Sequence, residues 1–82
     1  MIQMTDISAL ESRINRAEER YGPVASTHEG LGVACEEWDE LRQAIRDNDM
    51  AAVKHECLDL AAVLIRMAIA TESDAFVSRS VK

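Results

Sequence analysis

The chain has 82 residues and a net charge of −6, so it has room for one domain and lacks the basic cluster that binds a nucleic-acid backbone. Hydrophobic residues make up 48% of it, and only three residues are aromatic, which favours a helical protein. The longest apolar run, LAAVLI followed by Arg66 and MAIA, is too short to span a membrane. No basic-then-apolar leader is recognisable, so the sequence predicts a cytoplasmic protein that binds neither membranes nor nucleic-acid polymers.

The first predicted element is a helix over about 6–21, where apolar residues recur at steps of three and four. Either Thr5 or Asp6 is expected to cap its start, and the Gly-Pro pair at 22–23 is expected to end it. Tyr21 closes the apolar stripe and is therefore assigned to the core.

A capping box, STHE, opens the second helix, predicted over about 27–46, with Ser26 at the N-cap and Glu29 reaching back. The turn sequence DND then separates it from a third helix over about 50–70. The tail at 72–82 is weakly patterned and is either a short helix or frayed. These elements predict an all-α, three-helix chain.

An antiparallel hairpin of the second and third helices, turning near Asn48, pairs residues whose numbers sum to about 96. The third helix is apolar nearly all round over 58–70, so assembly into a helical-bundle homodimer or homotetramer is expected to cover it. Both cysteines are expected to be buried free thiols. The expected core pairs are Trp38 with Cys57, Leu41 with Val53, and Ile45 with Met50.

Two acid pairs with i, i+3 spacing fall in this same register, one in EEWDEL and one in ECLDL. The hairpin therefore predicts that four carboxylates converge on one flank of the seam, namely those of Glu37, Glu40, Glu56 and Asp59. Such close like charges raise the pKa values of some of these acids, or else a cation binds among them. Oxygen ligands suit Mg²⁺, with Mn²⁺ as a substitute. The alternative is a solvated helix face, which is common in acidic helical proteins, and the spacing leaves both open.

Magnesium held by carboxylates keeps several waters and recruits phosphate oxygens to complete its coordination. The chemistry implied is hydrolysis of a phosphoanhydride, with the metal activating water and offsetting phosphate charge. The spacing does not identify which of the four acids acts as the general base.

The pattern Glu-x-x-Glu, fifteen residues, then Glu-x-x-Asp, within HEGLGVACEEWDEL and ECLDLAAVLIRMA, resembles the MazG-like all-α nucleoside triphosphate pyrophosphohydrolases. It looks most like the small single-domain members found in phages and mobile bacterial DNA. The resemblance covers about 28–69, roughly half of the chain. It implies Mg²⁺-dependent hydrolysis of (deoxy)nucleoside triphosphates to monophosphate and pyrophosphate, a reaction that cleans the nucleotide pool.

By the same resemblance the four acids are the metal-binding and catalytic residues. Glu36 matches the adjacent acid that often precedes the first pair, placed behind the ligands or facing solvent. Family members also use basic residues on the phosphates, and Arg66 is the candidate here, with His28 near the nucleotide. For Arg66 an ion pair with Glu29 or with an acid of a partner chain is equally open. His28 is otherwise a capping or surface residue, and Trp38 is assigned to the core in preference to base stacking.

Two further readings compete with this one. The chain could be a non-enzymatic helical interaction module that dimerises through its broad apolar third helix. It could also be a related pyrophosphohydrolase with another substrate, such as dUTP, a nucleoside diphosphate or phosphoribosyl-ATP.

Overall fold

The computed structural model describes residues 1–72, which form three helices and no strand. These are α1 (Met4–Tyr21), α2 (Thr27–Arg46) and α3 (Met50–Ala70). The all-α, three-helix prediction is confirmed over this range, and the bounds of α2 and α3 agree with the predicted ones. The prediction for the tail concerns residues that, from 73 onward, lie outside the described part of the chain.

Local capping explains where α2 begins. The Ser26 hydroxyl accepts a hydrogen bond from the backbone N–H of Glu29 at 3.0 Å, which satisfies one of the free donors of the first turn. The Glu29 carboxylate in turn accepts from the backbone N–H of Ala25 at 3.3 Å. The capping box is therefore present, with Ala25 rather than Ser26 as the donor to Glu29.

The turn between α2 and α3 depends on two polar residues. Asn48 has a φ of 53°, in the left-handed region that Asn tolerates better than most residues. Asp49 follows as the N-cap of α3, and its carboxylate accepts from the N–H of Ala52 at 3.1 Å. This short connection reverses the chain and makes α2 and α3 an antiparallel hairpin.

The start of α1 differs from the prediction. The helix begins at Met4 after Gln3, whose side chain makes no capping bond, so Thr5 and Asp6 lie inside the first turn. Asp6 pairs with Lys54 of α3 at 3.3 Å, and its negative charge also suits the positive end of the helix dipole. The prediction that Thr5 or Asp6 caps the helix is therefore wrong, and the Asp6 side chain pairs with Lys54 instead.

The third helix lies between the other two. It packs against α2 and against α1, whereas α1 and α2 are not packed on each other within the described residues. Arg66 of α3 is buried and donates to the carbonyl of Gly22 at 2.8 Å and to the carboxylate of Glu18 at 3.4 Å. This contact fixes the end of α1 to α3 and leaves a cleft between α1 and α2.

Small residues form much of the hairpin seam. A methyl group built on Gly30 would lie 2.8 Å from the sulfur of Met67, so the two backbones approach more closely there than a larger residue allows. The buried residues of the two helices are Gly30, Ala34, Leu41 and Ala44 on α2, and Ala62, Val63, Arg66 and Ala70 on α3.

This seam is rotated from the predicted one. Trp38, Ile45 and Met50 are 52%, 56% and 60% exposed, so their assignment to the core is wrong for the single chain. Of the predicted core pairs only Leu41 with the half-buried Val53 lies inside. The physical reason is that the row of small residues permits closer helix packing than the row of large ones. The other errors concern Tyr21, which is 70% exposed, and the cysteines, which are free as predicted but exposed.

The displaced large residues share one face of the hairpin. On each helix they recur at intervals of seven, and the antiparallel register pairs them across the hairpin. We call this surface the exposed heptad strip; it consists of Leu31, Trp38 and Ile45 of α2 and Met50, Cys57 and Leu64 of α3.

As to membranes, none of the described helices combines the length and the apolar character that a crossing would need.

Candidate metal centre and adjoining cavity

Three of the four predicted acids meet at the hairpin seam. Glu37 lies in the buried row of α2, between Ala34 and Leu41, and Glu56 faces it from α3. Each of Glu37, Glu40 and Glu56 offers a carboxylate oxygen, and these oxygens lie within 4.8 Å of one another. We call these three residues the glutamate trio.

Neighbouring carboxylates of the trio raise the pKa values of Glu37 and Glu40. Burial, the charge of Glu40 and a hydrogen bond with Glu56 together raise the pKa of Glu37 from 4.5 to about 7. The pKa of Glu40 is also raised, chiefly by its hydrogen bond with Glu56 and by the charge of that residue.

Two oxygens of the trio have no hydrogen-bond donor. The Oε2 atoms of Glu37 and Glu56 are buried, and neither has a partner among the described residues. An unpaired buried carboxylate oxygen is costly unless a proton or a cation satisfies it. The donor set, three carboxylates whose oxygens lie within 4.8 Å of one another, has the chemistry that a hard divalent cation such as Mg²⁺ or Mn²⁺ prefers.

Asp59, the fourth acid, is held apart from the trio. Its Oδ1 accepts from Nε of Arg13 at 2.9 Å, and its Oδ2 lies 3.1 Å from Nε2 of His55. The expectation that all four carboxylates converge is therefore met by three of them. The hairpin register could not anticipate this, because the countercharge comes from α1. Glu56 links the two groups, since His55, Glu56 and Asp59 also place ligand atoms within 4.8 Å of one another.

The contacts of His55 determine which of its nitrogens carries a proton. Nη2 of Arg13 lies 3.0 Å from Nδ1 of His55, and a guanidinium can only donate. Nδ1 must therefore accept, so the proton of the neutral ring is on Nε2, which donates to Asp59. Two donors thus orient the Asp59 carboxylate.

A cavity of about 700 Å³ lies between α1 and α2, with α3 as its floor. This volume is in the range of small-molecule sites. Four acids line it: Glu36, Glu37 and Asp59 lie at one level, and Glu29 lies about two turns away near the start of α2, where it accepts from the N–H of Ala25. Three arginines of one face of α1 line it as well, and we call them the arginine row: Arg13, Arg16 and Arg20.

Of the other predicted site residues, Arg66 and Glu36 line the cavity and His28 does not. Arg66 lines the cavity, but its ion pair is with Glu18 and not with the predicted Glu29. Its Nε is buried and has no acceptor among the described residues. His28 is exposed and is not among the residues that line the cavity, whereas Glu36 is exposed and does line it.

The arginine row was not among the predicted site residues. Its signal is the spacing of Arg13, Arg16 and Arg20 at steps of three and four, which places all three on one face of a helix. That face also carries part of the apolar stripe of α1, and an apolar stripe by itself predicts only a helix.

No family model matches this chain, and neither the curated proteins nor the solved structures contain a match to it. The resemblance to the MazG-like enzymes therefore remains a prediction, carried by the acid pattern and its helical context.

Proposed function

We propose that the protein is a MazG-like pyrophosphohydrolase that cleaves (deoxy)nucleoside triphosphates to monophosphate and pyrophosphate with Mg²⁺. The observation that carries this proposal is the glutamate trio, whose oxygens lie within 4.8 Å of one another beside a cavity lined by acids and arginines. A phosphate chain with a divalent cation needs both kinds of group, acids for the cation and bases for the anion.

The proposed roles follow from position. Glu37, Glu40 and Glu56 hold the cation, and Glu37 also faces the cavity. Asp59, kept in place by Arg13 and His55, lies where the trio and the cavity meet and completes the acid set. The cation, when bound, offsets phosphate charge and makes water a better nucleophile. The general base is one of these four acids.

Hydrolysis of a panel of nucleotides tests the proposal. The panel contains the common NTPs and dNTPs, dUTP, a nucleoside diphosphate and phosphoribosyl-ATP, each with Mg²⁺ and with EDTA, and products are separated by chromatography. We expect monophosphate and pyrophosphate from one or more triphosphates, with no turnover in EDTA. Turnover confined to dUTP or phosphoribosyl-ATP would identify the related enzyme with another substrate. Absence of turnover for every compound would leave the interaction module as the function.

We further propose that two copies associate through the exposed heptad strip. Five of its six residues are large hydrophobics between 48% and 60% exposed. From Leu31 to Ile45 the strip extends along about 21 Å of helix axis, which is long enough for a coiled-coil-like contact. Apolar surface of this extent is unfavourable in water, and burial against a second copy would remove the cost.

Replacing Ile45 by Glu is expected to convert the homodimer to monomer, because a buried, unpaired charge would be placed at the contact. Light scattering coupled to size-exclusion chromatography measures the mass of each species. The matched control is Ile2→Glu, the same change at a residue that is 70% exposed before α1. A wild-type monomer at micromolar concentration, or equal masses for both variants and the wild type, would contradict this proposal. A tetramer in the wild type that becomes a dimer in Ile45→Glu would place the strip at one of two interfaces.

A further inference from the structure

Two members of the arginine row have no acidic partner. Arg13 pairs with Asp59, but neither Arg16 nor Arg20 forms a salt bridge with any described residue. Nε of Arg16 donates to the Ser12 carbonyl at 3.4 Å within α1. The guanidinium of Arg20 lies over the ring of Tyr21, 5.4 Å from its centre. Both side chains thus keep most of their donors free, and both line the cavity.

Arg16 and Arg20 are exposed side chains that line the cavity. Acids outnumber Lys and Arg by 15 to 9, so carboxylates are abundant for any arginine that folding alone would pair. Arg66, on the cavity floor, adds a buried Nε without an acceptor among the described residues. Guanidinium donors that converge on one cavity are suited to an anion with several oxygens.

The charged residues that line the cavity differ from one end of it to the other. Arg13 and Asp59 meet at the level of the acids, whereas Arg66, two turns further along α3, reaches the end of α1 at Gly22. Arg16 therefore lies between the acid level and the Arg66 level, and Arg20, which stands between Glu18 and Gly22 in the chain, lies at the Arg66 level. An anion extended along the cavity would have its cation-binding end at the acids and its remaining charge at the arginines.

We propose that Arg16 and Arg20, with Arg66 behind them, form a binding site for a linear phosphate chain. Arg13 is a positioning residue, because it is committed to Asp59 and links the anion site to the acids. The anion site itself rests only on the cavity and its arginines. That this chain is the triphosphate of a nucleotide rests on the proposed function.

Calorimetric titration with inorganic tripolyphosphate, in the absence of divalent cations, tests the site on the full chain. The test variant is Arg16→Gln with Arg20→Gln, and the matched control is Arg42→Gln with Arg46→Gln. Both pairs remove two positive charges, but Arg42 and Arg46 lie on α2 outside the cavity lining. Glutamine keeps the helix propensity, and circular dichroism checks that both variants are folded.

We expect the wild type to bind tripolyphosphate and the test variant to lose at least about tenfold in affinity, while the control loses less than about twofold. If the double change unfolds the chain, Arg20→Gln alone is expected to lose about three- to fivefold. No binding by the wild type, or equal losses in the two variants, would overturn the proposal, since only net charge would then be at work.

A separate titration with Mn²⁺, followed by electron paramagnetic resonance, distinguishes this inference from the proposed function. Tripolyphosphate binding without Mn²⁺ binding would support the anion site and contradict the metal-dependent enzyme. Mn²⁺ binding and nucleotide turnover with no effect of the arginine changes would support the enzyme and overturn the anion site.

Discussion

Replacing Glu56 by Gln is expected to reduce nucleotide hydrolysis at saturating Mg²⁺ by at least about a hundredfold. Glu56 belongs both to the glutamate trio and to the group formed with His55 and Asp59, so its carboxylate is the link between them. The amide keeps the shape of the side chain but lacks the charge that a hard cation prefers. Rates are measured by pyrophosphate release, and Mn²⁺ affinity is measured by electron paramagnetic resonance.

The matched control for this experiment is Asp39→Asn. Asp39 is an exposed acid of α2 that contacts Arg42 at 3.7 Å and belongs to neither group of candidate ligands. It removes the same charge, and we expect less than about a twofold change in rate. A folded Glu56→Gln variant with wild-type turnover and wild-type Mn²⁺ affinity would remove the trio from the mechanism. Loss of turnover with unchanged Mn²⁺ affinity would give Glu56 a role other than holding the cation.

Without a cation, the protein is expected to lose stability as the pH rises from about 4.5 to about 7, because Glu37 keeps its proton in the folded state after the unfolded chain has lost it. The raised pKa of Glu37 thus favours folding at low pH and opposes it above about 7. After allowance for its partial exposure, the loss attributable to this residue is about 1–3 kcal/mol. Urea unfolding in EDTA, at several pH values, measures it.

Glu37→Gln isolates this effect from other titrating groups. We expect the variant to match the wild type near pH 5 and to exceed it by about 1–3 kcal/mol near pH 8, because a neutral amide carries no charge to bury. Glu19→Gln, an exposed glutamate of α1 outside the trio, is expected to follow the wild-type curve. Mg²⁺ at about ten times its dissociation constant should return about 1.4 kcal/mol to the wild type near pH 8. Parallel curves for wild type and Glu37→Gln would show that Glu37 titrates normally.

The parts of the fold that could be predicted are those with local causes. Ser26 and Asp49 mark the starts of α2 and α3 because their side chains cap the backbone directly. Asn48 permits the turn, and the turn sets the register that brings Glu37, Glu40 and Glu56 together. Each of these steps needs only residues that are near in sequence or related by one hairpin.

The parts that could not be predicted depend on packing between distant segments. Helix rotation does not follow from the pattern, because the row of large residues that includes Trp38 is as periodic as the row of small ones, and the close approach is made at Gly30 and its neighbouring alanines. Arg13 was missed as the partner of Asp59 because the position of α1 does not follow from the hairpin register. Periodicity identifies an apolar or charged face, but it does not say which neighbour that face will meet.

Because α1 packs on α3 and not on α2, the two halves of the cavity wall come from separate stretches of the chain. The trio lies wholly within the hairpin, and the arginine row lies wholly within α1. The segment before Ser26 is therefore separate from the trio, and its contacts with the hairpin include Arg13 with Asp59 and Gly22 with Arg66. Grafting a different first helix onto the hairpin would change the anion-facing wall in one step and leave the carboxylates of the trio in place, which makes α1 the natural target for redesigning what the cavity admits.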